Sequence, residues 1–409
     1  MTAPAPWNED FRADPYPGYA MLREAGPVHR ITTPIGTESW LITRYEDARA
    51  ALADGRFSKD PRYAPQRLRD LGVVGDGEGP TGANMLNSDP PDHTRLRRVV
   101  GKAFTPRRVE ALRPRVQDVT RQLLDAMAPG EVDLIGAFAF PLPVTVISEL
   151  LGVPAEDQDQ FRTWTTAMIT APTTPENRRV RDEGIGAIQR YLAELTEDRR
   201  RHVDTDLPHD AQPDLLSALI LAADERGTLS ERELQGTLML LLTAGHETTV
   251  NLIGNGMLAL LRHRDQLDTL LAHPELLPSA IEEMLRYDGP VEHATLRVAT
   301  EDVEIGGVTI PKGSVVSIVI GSADRDPRRF ADPDDLDIGR EENPHLAFGH
   351  GIHFCLGAPL ARLEGRTAFG ELLRRFPRIE LACPPEQLRW RPNAAGIFRG
   401  VQALPVTLA

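Results

Sequence analysis

The stretch FGHGIHFCLGAPLARLE, Phe348 to Glu364, sets a lone cysteine, Cys355, between a glycine-punctuated loop and the mouth of an amphipathic helix. Gly349, Gly351 and Gly357 carry no Cβ, so the backbone is expected to bend tightly there and to approach a flat partner closely. Pro359 is tolerated because the first helical turn has amide donors to spare. Beyond it, Leu360, Leu363, Ala368 and Leu372 form the buried stripe of the helix. The amino end of that helix points orphan N–H groups and a partial positive charge at Cys355, which favours the thiolate over the thiol.

A stabilised thiolate attacks a substrate, binds a structural metal or ligates haem iron. Nucleophilic use wants a base beside it, and structural zinc wants further Cys or His at short, regular spacings. The only other cysteine is Cys383, and His350 and His353 lie too close together on a tight loop to complete a tetrahedral site. Haem asks for a single axial thiolate, and this loop supplies one.

Two further motifs stand upstream: AGHETT at Ala244 to Thr249, and Glu-x-x-Arg at Glu283 and Arg286. Together with the spacing of Phe348, Gly351, Cys355 and Gly357, they make the chain resemble the cytochrome P-450 family of haem-thiolate monooxygenases. The resemblance runs from ADPYPGYAMLREAGPV at Ala13 to the LPV near Leu404, and is greatest to soluble bacterial members that hydroxylate macrolide or other polyketide intermediates. It implies a mainly α fold with a smaller β-rich region, and haem b between a long central helix and the cysteine-loop helix. Cys355 would ligate the metal, with Phe348, Gly349 and Ala244 beside the cofactor. The implied reaction inserts one atom of O2 into a C–H bond, as a hydroxylation or an epoxidation.

Bulk properties agree. A chain of 409 residues with 41% apolar content can bury a substantial core, and one intertwined domain over residues 1–409 is expected. The opening MTAPAPWNEDFRADPYPGYA has no apolar core of signal-peptide length, and FAFPLPVTVISELLGV is broken by prolines and a glutamate. Two cysteines far apart do not suggest a disulfide framework, so a soluble, cytoplasmic protein is expected. A net charge of −14 argues against general nucleic-acid binding. Yet His93 to Arg115 holds eight Lys or Arg and a single acid, Glu110, which reads either as a solvated helix face or as a docking face for an acidic partner.

Along the chain, VHRITT and ESWLITR read as strands around a turn at Pro34 and Gly36, and from about residue 105 the pattern is mainly helical. Asp60 to Ala83 reads as a long mobile loop of lid type, Thr170 to Arg178 as an irregular second lip, and Asp204 to Pro213 as a surface linker. GIGAIQ at Gly184 is half a dinucleotide fingerprint without its strand, and reads as helix.

Ser230 and Glu233 form a capping box before LQGTLMLLLTAG, predicting a helix from there to about Arg262, roughly 48 Å long. Its middle, Ala244 to Thr249, is rich in small and β-branched residues that weaken helical propensity. Small residues let a flat ligand lie against the backbone, and a threonine hydroxyl can bond the preceding turn's carbonyl. Cleaving dioxygen consumes two protons in a pocket that excludes water, and the family resemblance gives that delivery to Glu247 and Thr248. The resemblance also implies that Glu283 and Arg286 are buried and joined by Arg340, in a structural role. Leu336 stands where family members often carry Phe, so packing there is open.

The resemblance places His93, Arg97, Arg297 and His353 at positions that hold the haem propionates. It likewise assigns substrate contact to Met85, Leu86, Ile169, Leu240, Ala244, Val291, Thr295, Ile397 and Phe398, a largely apolar set suited to a bulky molecule. Steroid and terpenoid substrates stay open, as do a peroxide-driven haem-thiolate enzyme and a haem-based ligand sensor. The chain shows no convincing flavin or nicotinamide site, so electrons from NAD(P)H are expected through a ferredoxin and its reductase, or a flavodoxin. The partner's acidic surface would meet Arg98, Lys102, Arg107 and Arg108, with Arg362 and Arg366 adding to the face.

Overall fold

The computed structural model describes residues 9–409 apart from 34–35, 71–82, 169–173, 225–228 and 392–396. Six helices frame the site: α1 (Asp92–Ala103), α2 (Pro141–Leu150), α3 (Pro175–Arg200), α4 (Glu231–Arg262), α5 (Leu277–Asp288) and α6 (Ala358–Arg375). The longest is α4, which begins where its cap dictates. Ser230 Oγ accepts from the Glu233 amide at 3.3 Å while Glu233 Oε2 accepts from the Ser230 amide at 2.8 Å, so two orphan donors are satisfied at once. From Thr249 to Leu260 every residue of α4 is buried. Such all-round burial marks a helix that runs through the core.

Close helix packing there depends on missing side chains. A Cβ on Gly256 would lie 2.6 Å from Met284 Sδ of α5 and 2.9 Å from Phe369 of α6. Gly365 of α6 similarly faces Leu252. These contacts bring α4, α5 and α6 together as the centre of the main hydrophobic core, which also holds Leu336 and Ile338. Leu336 is 4% exposed, so leucine in place of the family's Phe still packs.

The β-rich part is a five-stranded sheet of β1 (Val28–Thr32), β2 (Glu38–Ile42), β3 (Phe57–Ser58), β4 (Arg297–Ala299) and β5 (Val315–Ile318), in the order β1-β2-β5-β4-β3. Only β2 and β5 run parallel. Ile42, Phe57, Ala299, Val316 and Ile318 give it a core of its own. The strands expected on either side of the turn near Gly36 are β1 and β2, paired antiparallel; Pro34 falls outside the described residues. The mainly α architecture with a smaller β region is as expected.

Two expectations about irregular segments need correction. Asp60 to Ala83 is not all loop: Asp60 caps a short turn at Pro61–Tyr63, and Gln66–Asp70 is helical, with residues 71–82 outside the described residues. Thr174 caps α3 through its hydroxyl, so 175–178 are the first turn of a helix, while 170–173 lie outside the described residues. Asp204 to Pro213 lies at the surface, as expected, and is anchored near its end: the carbonyls of His209 and Gln212 accept from the buried Arg108 guanidinium, and Gln212 is 4% exposed. GIGAIQ lies within α3, where Gly184 packs against Ala167. Among the described residues no helix is long and apolar enough to cross a membrane.

The Glu283–Arg286 pair is fully buried. Arg286 makes a two-pronged contact with Glu283 at 2.7 and 2.8 Å, and its remaining donors reach the carbonyls of Asp324, Pro333 and Asp335. Glu283 in turn accepts from Arg340 at 3.2 Å, Asn343 at 3.0 Å and the Asp337 amide at 2.9 Å. Every lone pair and proton of the pair is used, and the segment from Asp324 to Asn343 is pinned beneath α5. Removing one partner leaves the other charged and dry. Glu283→Ala is therefore expected to cost roughly 3–5 kcal/mol in chemical denaturation, whereas Ser230→Ala at the α4 cap should cost about 1 kcal/mol; comparable losses would mean that the buried pair is not the stronger constraint.

Candidate active site

Towards its amino-terminal half α4 draws away from α6, and the gap is a cavity of about 310 Å³. Leu240, Ala244, Gly245, Thr248 and Thr249 of α4 form one wall, and Leu360, Ala361 and Glu364 of α6 with Phe348, Gly349, His353 and Cys355 form the other. Ala244, expected against a cofactor, opens directly onto this space. Glycine serves the loop differently from the expectation. Gly351 has φ +74°, and a Cβ there would stand 2.9 Å from Ala53 Cα, so the close approach is to the protein's own backbone. Gly349, at φ +73°, supplies the other left-handed turn, whereas Gly357 has an ordinary φ of −80°.

Cys355 donates its amide to the Phe348 carbonyl at 2.9 Å, which closes the loop. Burial raises the thiol's pKa, and the amides of Gly357 and Ala358 with the guanidiniums of Arg97 and Arg362 pull against it. The balance is upward. The helix terminus alone therefore does not make the thiolate expected from sequence, and a bound metal cation, which deprotonates a coordinating thiol outright, completes the task. Among the described residues no three His, Cys, Asp or Glu side chains cluster as metal ligands, which leaves no structural zinc site at Cys355.

A group of bases gathers at the cavity's edge. Arg97 and Arg297 line it, as does His353, whose ring centroid is 4.4 Å from that of His93. His93 itself sits behind His353 rather than in the wall. Burial comes first among the causes that push His353 down to about 2, followed by Lys59, Arg297, His93 and Arg97. Arg297 is lowered to about 10 by burial. Its Nε and both ring nitrogens of His93 are buried without a well-formed partner. Buried guanidiniums with an orphaned donor, beside imidazoles, suit an anion. One sulfur in the wall and this basic edge fit haem b: Cys355 would hold the metal, and Arg97, Arg297, His353 and His93 would serve its carboxylates.

On α4, Thr248 Oγ1 donates to the Ala244 carbonyl at 2.8 Å, the expected back-bond. Glu247 departs from expectation. It lies outside the cavity wall, and its Oε1 accepts from Arg391 at 2.9 Å in a buried ion pair. The acid that does face the cavity is Glu364, whose Oε2 accepts from Thr249 Oγ1 at 3.0 Å. Burial pushes its carboxyl up to about 8, so it is protonated at neutral pH. Glu364 was legible in principle. It falls four residues after Leu360 and one after Leu363, on a helix face otherwise reserved for apolar side chains.

The substrate set largely converges. Met85, Leu86, Leu240, Ala244, Val291, Thr295, Ile397 and Phe398 all line the cavity, with Val291 bridged to Phe398 across two segments. Ile169 lies outside the described residues. Of the expected docking face, Arg108 is buried on carbonyls and Arg362 is held by Glu282, while Arg98, Lys102, Arg107 and Arg366 are exposed, Arg107 beside Asp210. Beside the cysteine, Ile352 and Phe354 are exposed apolar side chains, and Arg97 donates to the Phe354 carbonyl at 2.6 Å.

The sequence profile of the family described as cytochrome P-450 matches residues 153–393. The chain is 51% identical over 403 residues to cytochrome P-450 monooxygenase PikC of Streptomyces venezuelae, covering 98% of this chain and 92% of that protein. It is 43% identical over 417 residues to the 6-deoxyerythronolide B hydroxylase of Saccharopolyspora erythraea, covering 100% and 99%. Among solved structures, the tirandamycin C-bound monooxygenase TamI superposes with a TM-score of 0.88 at 44% identity, covering 98% of this chain and 99% of that one. Likeness of this depth spans the cysteine loop, the long helix and the buried Glu–Arg pair together, and the chain belongs to the cytochrome P-450 family, whose monooxygenases hold haem through a cysteine thiolate.

Proposed function

We propose that the protein hydroxylates a C–H bond of a bulky hydrophobic polyketide, of the macrolide class, with electrons from NAD(P)H delivered by a ferredoxin and its reductase or by a flavodoxin. The observation that carries this reading is the cavity itself. Apart from the basic edge of Arg97, Arg297, His350 and His353 and the sulfur of Cys355, its wall is apolar except where the hydroxyls of Thr248, Thr249 and Thr295 and the carboxyl of Glu364 enter, which suits a large, sparsely oxygenated molecule. The names of PikC's fellow relatives, 6-deoxyerythronolide B hydroxylase among them, support the same class. The reading places the enzyme in the cytoplasm, beside its electron donors.

When bound, haem supplies the activation of dioxygen and the transfer of one oxygen atom. The chain's own part is to hold the cofactor, exclude water and deliver protons. Cys355 would hold the metal through its sulfur, and the basic edge would hold the carboxylates. Thr248 presents a hydroxyl to the cavity, and Glu364, protonated and joined to Thr249, is the acid that can replenish protons there. Glu247 is paired with Arg391 through Oε1 alone, while Glu364 faces the cavity and is joined to Thr249, which supports Glu364 as a proton donor alongside the expected Glu247. A family member of this type docks an acidic donor over Arg98, Lys102 and Arg366, with Ile352 and Phe354 as apolar contacts close to the cysteine.

Three outcomes test this. Titration of the ferric protein with macrolides, steroids and terpenoids should shift the Soret band for macrolides in preference to the others; a response confined to steroids or terpenoids would remove the substrate class. Thr248→Ala and Glu364→Gln should each divert NADH consumption into peroxide, with product formation falling on the order of 100-fold for the acid. Because Glu364 donates only while protonated, wild-type coupling should decline as pH rises through about 8, and Glu364→Gln should lose that dependence; equal coupling in both proteins at every pH would discard the assignment. Finally, turnover with a ferredoxin should slow as salt is added, and Arg98→Glu with Lys102→Glu should raise the KM for ferredoxin about tenfold with kcat little changed. Salt-independent turnover would rule out that face.

A further inference from the structure

Lys59 was not among the residues singled out by sequence, and its position is unusual. It follows β3, whose antiparallel register pairs Phe57 with Ala299 and Ser58 with Val298. The next step of the ladder sets Lys59 against Arg297. The two side chains are 7% and 5% exposed. Like charges directly opposed on a sheet repel, and buried charges need a counter-ion.

Asp89 accepts from the Ser58 hydroxyl and from the Lys59 backbone amide, at 2.9 Å for the latter, and its charge acts on both Lys59 and Arg297, while Asp54 holds Arg56. The Lys59 ammonium donates to a neutral acceptor, Thr295 Oγ1. Arg297 Nε is buried with no hydrogen-bond partner. Burial and then the nearby Arg297 lower the Lys59 pKa well below that of an ordinary lysine. Two buried cations thus share one nearby carboxylate; Arg297 and Thr295 line the cavity, and Lys59 lies beside them.

We propose that Lys59 is a haem-binding residue, its ammonium acting with the Arg297 guanidinium on a haem carboxylate and tying that site, through Thr295, to the wall of the substrate cavity. The inference rests on the haem-thiolate reading. Two cations share the single carboxylate of Asp89, and a carboxylate of the cofactor would match the positive charge left over. Lysine suits the position because a compact ammonium with several donors serves a carboxylate and the Thr295 hydroxyl together.

The test uses holoenzyme and two readouts other than turnover. Haem transfer to excess apomyoglobin, followed at the Soret band, should be at least about tenfold faster in Lys59→Met and Lys59→Gln, the loss of one charge-assisted hydrogen bond. The reduction potential of both variants should move to more negative values, because removing a nearby positive charge favours the ferric state. Lys59→Arg keeps the charge and should stay within a few-fold of wild type on both counts. Thr295→Val removes the neutral acceptor and leaves the cation, so its haem loss should stay within about twofold of wild type. Should Lys59→Met not yield folded holoenzyme, Lys59→Gln carries the same comparison. Wild-type haem loss and potential in both neutral variants, or haem loss in Thr295→Val as fast as in Lys59→Gln, would overturn the proposal. In either case a red-shifted Soret maximum in the reduced carbonyl adduct of the wild type would leave the haem-thiolate reading standing, whereas a wild type without haem would remove that reading first.

Discussion

The site depends on two helices that must touch along part of their length and separate along the rest. Where α4 meets α5 and α6, Gly256 and Gly365 remove the side chains that would hold the backbones apart, and Met284, Phe369, Leu252 and Ile281 fill the seam. About three turns further toward the amino end of α4, the small residues Ala244 and Gly245 have no such fillers from α6, and the gap becomes a cavity with Cys355 in its wall. Tight packing at one end is what keeps the other end open, since a well-packed core transmits position rather than collapsing into a neighbouring void.

Buried charge is handled in two opposite ways within this frame. Around Glu283 and Arg286 it is closed: carboxylate, guanidinium and surrounding carbonyls satisfy one another, and the segment leading to the cysteine loop is fixed by them. Around Arg297, Lys59 and His93 it is open, with orphaned atoms on Arg297 and His93 and two buried cations, Lys59 and Arg297, side by side. The first arrangement holds a fold together without help. The second suits an added anion, so the protein's own electrostatics set scaffold apart from candidate cofactor site.

Glu247 and Glu364 show how environment rather than residue type assigns a carboxyl its work. Glu247 belongs to the motif that points to proton delivery, yet Arg391 engages it away from the cavity. Glu364 has no cation beside it and a single threonine hydroxyl for a partner, so burial keeps its proton on at neutral pH. Two acids on facing helices are thereby split into an ion-paired group and a protonated one.

Local chemistry was written in the residues themselves. The Ser230–Glu233 cap, the buried stripe of α6, the back-bond of Thr248 and the glycine turns of the cysteine loop each depend on neighbours within a few positions, and all were legible from the sequence. The first helical turn at Pro175 was misread because a Thr-Pro start resembles loop punctuation until its cap is seen. What the tertiary structure alone decided are the pairings across long separations: Arg391 with Glu247, Thr249 with Glu364, Arg108 with the carbonyls of His209 and Gln212, and Lys59 opposite Arg297. Whether a buried polar group is satisfied depends on which distant segment reaches it, and that is set by how helices and strands pack, not by any spacing along the chain.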